Sequence, residues 1–168
     1  MPRIPRAIID VMVAHAREDL PNEACGVVHA TDGVPTSVHR IANVANETPG
    51  QPPSGSPYRY LMHPMQFARL EQRRDSTGET LFSIYHSHVA SEARPSPTDV
   101  RSAFFPPGQV TERPMYPEAY YIVISLARKE GEVIVSEDPP VVRAWRIVSA
   151  STVDEAIRAM QEEPIEVV

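Results

Sequence analysis

The spacing of apolar positions along the chain switches between a helical and a strand period. Ile4, Ile8, Val11, Met12 and His15 recur at helical intervals and predict an amphipathic helix over residues 5–19, stopped before Pro21. Residues 25–29 and 36–44 read as strands, joined as a hairpin around Asp32-Gly33. A second helix is predicted over 64–74, with Pro64 at a permitted first-turn position and Phe67 and Leu70 on one side. Residues 81–86, 120–126 and 141–148 read as further strands. The second of these is a near-continuous apolar run of the kind a central strand carries. Residues 153–160 predict a short helix and 165–168 a closing strand. Interleaved strands and helices point to an α/β (α+β) fold, a mixed sheet flanked by helices.

Proline changes this picture. The chain has 18 prolines in 168 residues, about twice the usual share of ~5%. They concentrate in two insertions, near 47–60 and 104–118. Their centres, 49–57 and 105–117, hold neither a helix nor a central strand, because proline lacks the amide donor and glycine resists ordering. Neither insertion separates two segments that could each carry a core. The length is that of one ordinary domain, so we expect a single domain over 1–168 with loops of a functional kind.

Charge and cysteine narrow the function classes. With 16 Lys+Arg against 22 Asp+Glu the net charge is −6, the opposite of a nucleic-acid binder's usual balance. One cysteine, Cys25, excludes an internal disulfide and a Cys-rich zinc module. Asp10 interrupts the N-terminal apolar run, and no stretch approaches the ~20 apolar residues of a membrane span. We expect no signal peptide, no membrane partner and a cytoplasmic protein. Composition leaves the oligomeric state open, a homo-oligomer included.

Chemistry concentrates between Tyr85 and Asp99. His86 and His88, two residues apart at a strand end, point to one face because strand side chains alternate. Two imidazoles aimed at one spot are half of a zinc site. Asp99 supplies a third ligand and leaves the fourth position to water, the catalytic rather than the structural arrangement. Each part also has an ordinary reading. Ser96-Pro97-Thr98-Asp99 is a good helix start, with Ser at the N-cap, Pro at N1 and an acid near the positive end of the dipole. The two readings are compatible, since a helix beginning at Ser96 would hold Asp99 rigidly.

His-x-His, seven residues, Ser, two residues, Asp is the signature of the JAMM metalloproteases, the catalytic branch of the MPN (Jab1/Mov34) domains. His86, His88, Ser96 and Asp99 match it without a gap, and Glu23 matches the family's upstream glutamate. The chain further resembles the bacterial Mec type in Val13–Arg17, Glu23–Val27, Ile84–His88 and Glu162-Glu163-Pro164. Five positions in order over about 75 residues make a specific signal.

The resemblance implies the MPN fold, which is cytidine-deaminase-like, and a zinc ion with a bound water held by His86, His88 and Asp99. Such an ion lowers the pKa of its water toward ~7 and polarises a scissile carbonyl. Glu23 would take the water's proton and pass it to the leaving nitrogen. Ser96 would donate a hydrogen bond to the developing oxyanion, a role worth ~3 kcal/mol. Cys25, at the start of an apolar strand, reads as a small buried hydrophobe rather than a nucleophile. Trp145 reads as core, and Ser87 faces away from the ligands. His15, His29, His39 and His63 have no ligand spacing, and His63 reads as a loop residue.

For substrate, the resemblance implies a ubiquitin-like sulfur-carrier protein with a C-terminal Gly-Gly, from whose adduct cysteine or a short extension is released. A sheet edge near the metal would pair with the tail's main chain, and the two Pro-rich insertions would contact the carrier body. Two alternatives stand beside this: a non-catalytic MPN scaffold that only binds partners, and a RadC-like JAMM protein of DNA repair. The complete ligand set opposes the first and the acidic charge the second.

Overall fold

The computed structural model describes residues 1–168. In chain order the elements are β1 (Arg3–Ile4), α1 (Arg6–Glu18), β2 (Cys25–Thr31), β3 (Val34–Ile41), α2 (Pro64–Thr77), β4 (Thr80–His88), α3 (Pro97–Ser102), β5 (Tyr120–Glu130), β6 (Val133–Arg146), α4 (Val153–Ala159), β7 (Gln161–Glu163) and β8 (Glu166–Val167). Six strands form one sheet in the order β3-β2-β4-β5-β6-β7, and β1 pairs with β8 in a small parallel sheet of two. Only β4 and β5 run parallel within the large sheet; its other neighbours are antiparallel. The fold is thus the mixed sheet flanked by helices that the pattern predicts.

Each sheet face has its own core. On one, α1 buries Ile8, Ile9, Met12 and Ala16 against Val28, Tyr85, Ile122 and Ile124. Val11, expected in that stripe, is exposed, and Ile9 takes its place beside Ile8. His15 ties the helix to the sheet through Nδ1 and the Tyr85 hydroxyl, 2.8 Å apart. On the other face, α3, α4 and the 103–116 connection cover Val27, Ile84, Val123 and Trp145. Here α2 contributes only partly buried side chains, Phe67 and Leu70 among them.

Several boundaries move for identifiable reasons. The second helix runs on to Thr77, where Gly78 ends it in the left-handed conformation, φ 74°. His63 caps that helix, its ring nitrogen accepting from the Gln66 N–H. The last long strand begins at Val133, eight residues before the 141 that the pattern marks. Pro139 and Pro140 disguise it, but they lie where the β5–β6 register shifts, opposite no ladder partner. Strands β1 and β7 have too few residues to show a period.

Topology positions the chemistry. A parallel pair needs a long crossover, and the chain from His88 to Tyr120 supplies it, with α3 on the way. The carboxyl end of β4 and the start of α3 are therefore held on one side of the sheet.

Candidate metal centre

His86 and His88 end β4 on the same face as Ile84 and share that face with Val123 and Ser125 of β5, their register partners. Across the other edge of β4, Cys25 pairs with His86. The Ser87 N–H donates to the Ala24 carbonyl and the Ala24 N–H to Ser87 Oγ, 2.8 Å, so the pairing extends one step further. That register sets Glu23 opposite His88. Ser87 thus braces the entry to β2 from behind.

Asp99 arrives from α3. Ser96 Oγ accepts from the Asp99 N–H and Asp99 Oδ2 accepts from the Ser96 N–H, a reciprocal capping box. The same Oδ2 lies 3.1 Å from His86 Nε2 and 3.5 Å from His88 Nε2, and the two Nε2 atoms are 3.0 Å apart. The cap reading and the ligand reading of Asp99 hold together.

These three side chains could hold a metal ion. A tetrahedral ion with ligands at roughly 2.0–2.1 Å sets ligand-to-ligand edges of about 3.3 Å, and the observed edges bracket that value. His88 Nδ1 lies 2.7 Å from the Glu92 carbonyl, so it carries the proton and leaves the Nε2 lone pair facing inward. The loop presenting Glu92 is pinned by Ser125 Oγ to Ser91 O and by Trp145 Nε1 to Ala93 O. His86 Nδ1 has no hydrogen-bond partner. Instead the Tyr60 ring stacks on its imidazole, centroids 4.4 Å apart and planes at 23°.

Burial and charge set the protonation. Exposures are 1% for His86, 5% for His88, 6% for Asp99 and 5% for Glu23. Burial pulls the His86 pKa down. On His88 burial acts the same way, but the Asp99 carboxylate outweighs it and the pKa rises. Burial would raise Asp99, yet the two imidazoles and the Ser96 N–H hold it well below the usual carboxylate range. Glu23 differs: burial pushes it up to about 8, and its Oε2 has no partner.

Two residues at this site carry no sequence signal of their own. Tyr60 sits in an irregular Pro-rich stretch. Asn43 is a lone amide in a loop, yet it spends its full hydrogen-bonding capacity. Its Nδ2 donates to the carbonyls of Glu23 (3.0 Å) and Arg59 (3.1 Å). Its Oδ1 accepts from the N–H groups of Ala45 (3.1 Å) and Leu61 (3.0 Å). The Glu23 N–H donates to the Ser56 carbonyl, so the 54–61 segment and the Glu23 backbone are one tied unit.

The side chains read as non-ligands stay out of the ligand trio, Cys25 as a buried neighbour of His86. Cys25 is fully buried with its thiol pushed up to about 12 by burial, and Trp145 is core. His29 and His39 lie against each other on the β2–β3 hairpin, their rings tilted by 51°. The strand bearing the histidines is central, flanked by β2 and β5, and the sheet's edges are β3 and β7. No edge of β4 is free for a tail to pair with. What adjoins the site is a cleft of about 520 Å3 beyond the strand end, lined by Glu23, Tyr58, Val89, Ser91 and Lys129 among others.

The mixed sheet thus brings two histidines and an aspartate that could hold a metal ion beside a buried glutamate. Residues 5–148 match the family described as prokaryotic homologs of the JAB domain, and the chain belongs to that JAB/MPN family. It is 30% identical over 155 residues to the CysO-cysteine peptidase of Mycobacterium tuberculosis, covering 92% of this chain and 88% of that one. It is 31% identical over 103 residues to the desampylase of Haloferax volcanii, 58% of this chain and 68% of the other. A solution structure of a Desulfitobacterium hafniense protein superposes with a TM-score of 0.68 at 25% identity, over 100% of this chain and 93% of that one. The protein is a hydrolase of this metal-dependent family. No helix is long and apolar enough to cross a membrane.

Proposed function

We propose that this protein is a zinc metallopeptidase acting on a small ubiquitin-like sulfur-carrier protein, hydrolysing the amide bond after its C-terminal Gly-Gly and releasing cysteine or a short C-terminal extension. The observation that carries the reading is the convergence of three buried ligand atoms beside an unpartnered, buried carboxylate at the head of a cleft. Similarity over 92% of the chain to a CysO-cysteine peptidase supports the substrate class.

In this reading His86, His88 and Asp99 hold the ion, which supplies Lewis-acid polarisation and an acidified water. Two imidazoles and a carboxylate suit zinc. Glu23 is the proton carrier. Burial raises its pKa, and in this reading it accepts a proton from the attacking water and returns it to the leaving amine. Register sets it opposite His88, and the Asn43 and Ser56 hydrogen bonds fix its backbone. Ser96 serves twice: its oxygen accepts the Asp99 N–H, and its O–H stays free to donate to the oxyanion. The whole chain acts as one domain, and the Pro-rich segments at 49–57 and 105–117 contact the carrier body.

The test is intact-mass analysis of a sulfur-carrier protein ending in Gly-Gly-Cys, incubated with the metal-loaded protein. Loss of one cysteine residue's mass, stopped by a chelator and restored by added zinc, is the expected result. A metal-loaded protein that leaves the adduct intact contradicts the substrate.

A further inference from the structure

Strand β5 runs past the end of its neighbour. Its pairing with β4 stops where His88 meets Ser125, yet β5 continues to Glu130 and turns into β6 through a two-residue loop, Gly131-Glu132. The chain leaving β4 does not follow it, and Ser91 is tied back by its carbonyl to Ser125 Oγ. A two-residue loop makes Glu130 and Val133 a hydrogen-bonded pair, and such pairs alternate along an antiparallel ladder. Arg128 and Val135 form the next bonded pair, so Ala127 and Lys129 turn their N–H and C=O groups away from β6. They face the line that a longer β4 would take. Ser125 Oγ lies 3.1 Å from the Ala127 carbonyl. The Ala127 N–H and the backbone of Lys129 remain as a short unpaired stretch of sheet edge.

The cleft of about 520 Å3 lies in that gap, with Pro21 and Glu23 on the β2 side and Lys129 and Ile134 on the β5–β6 side. Lys129 is the chain's one lysine and is exposed. It is in no ion pair, whereas the neighbouring Arg128 is held by Glu130 and Glu137. An unpaired strand edge takes an extended main chain. A peptide leaving the level of the metal ligands in the direction of β4 runs parallel to β5, with its N-terminal end at the site. That is the polarity of the segment after the scissile bond; the segment before it would run the other way. Glu23, which returns the proton to the leaving amine, lines the same cleft, and the cleft's one cation suits a terminal carboxylate. Ala127 and Lys129 lie two and four residues beyond the His88 level, about 7 and 13 Å at a strand's rise of roughly 3.3 Å per residue. One departing residue falls short of Ala127, while three span about 10 Å and bring their carboxylate to the Lys129 side chain.

We propose that this cleft binds the C-terminal extension that the enzyme removes, as a short parallel strand along Ala127–Lys129 with its terminal carboxylate on the Lys129 ammonium, and that an extension of three residues is preferred to one. This rests on the peptidase reading above. It goes beyond that reading by setting the length, the main-chain pairing and the free C-terminus of the leaving segment.

The experiment uses the metal-loaded full chain and a sulfur-carrier protein ending in Gly-Gly-Cys, in Gly-Gly-Cys-Ala-Ala, or in the latter with its C-terminus amidated. The three-residue extension is expected to raise kcat/KM over the single cysteine by roughly fivefold, the worth of one backbone hydrogen bond. The free acid exceeds the amide by roughly threefold, the worth of a solvent-facing ion pair. In Lys129→Met the acid-to-amide ratio falls to about one, and Lys129→Arg restores it, each ratio being read within one enzyme. N-methylation slows cleavage at one of the two alanines and not at the other, because alternate residues of a strand face its partner. Equal rates for one and three residues, an acid-to-amide ratio unchanged in Lys129→Met, or indifference to N-methylation at both alanines overturns the proposal. If the wild type cleaves none of these substrates, the peptidase reading fails on them. The cleft is then judged by binding alone: the free peptide Cys-Ala-Ala must shift the Ala127 and Lys129 amide resonances, and no shift overturns the proposal.

Discussion

Asn43→Ala is the substitution whose effect follows most directly from the geometry. The side chain makes four hydrogen bonds, two given and two accepted, and joins the Glu23 backbone to residues 45, 59 and 61. Each such bond is worth about 0.5–1.5 kcal/mol net, and more where the abandoned partner stays buried. Water can reach the partners at residues 59–61, which are partly or fully exposed, so the sum is about 2–4 kcal/mol. For a domain of this size that lowers Tm by roughly 5–15 °C. The effect on turnover is separate. With its backbone untied, Glu23 loses its fixed position opposite His88, and a misplacement of ~1 Å can cost on the order of 10²-fold. The expected outcome is a fall in kcat of tenfold or more at full metal content, with KM changing less. Asn43→Asp keeps the acceptor but sets a carboxylate against two carbonyls, so it does no better. Calorimetry and steady-state kinetics on the same preparations decide the matter. A stability loss under about 0.5 kcal/mol with kcat intact would refute the tie between Asn43 and Glu23.

Three further outcomes follow from the same site. Ser96→Ala removes both the helix cap and the oxyanion donor, costing about 1 kcal/mol and ~10²–10³ in kcat; Ser96→Gly, a fair cap without a hydroxyl, restores most of the stability and none of the rate. Glu23 is raised by burial to about 8 in the folded protein, so in chelated protein its contribution to stability is complete below its ordinary pKa and disappears as pH climbs toward 8; urea midpoints should fall across pH 5–9 in the wild type and stay flatter in Glu23→Gln. Cys25, fully buried with a thiol pushed up to about 12, should resist iodoacetamide in the native protein at pH 8, and Cys25→Ala should keep turnover, as checked by mass spectrometry and the carrier assay.

The parts legible in the sequence are those where local periodicity and tertiary burial agree. Helix α1, the β2–β3 hairpin around Asp32-Gly33, β4 and the capped start of α3 all carry their own signals. The candidate metal-holding trio was legible because two of its residues sit at i and i+2 on one strand, and the third is pinned by a capping box with its own pattern. Tyr60 and Asn43 were not. Asn43 reaches the site through side-chain hydrogen bonds to loop backbone and Tyr60 through its ring stacked on His86, and such contacts leave no mark on side-chain periodicity. The beginning of β6 hid behind Pro139-Pro140, because nothing local reveals that they fall in a register shift. The histidine strand is central because β4 pairs with β2 on one side and β5 on the other.

The central claim is that His86, His88 and Asp99 hold one ion while Glu23 moves the proton. It is tested most directly by measuring metal content and cleavage of a carrier–Gly-Gly-Cys adduct together, in the wild type, Glu23→Gln and Asp99→Ala. The account predicts one zinc per chain with cleavage in the wild type, one zinc without cleavage in Glu23→Gln, and neither in Asp99→Ala. A Glu23→Gln protein that still cleaves at the wild-type rate, or an Asp99→Ala protein that keeps its zinc, would contradict it.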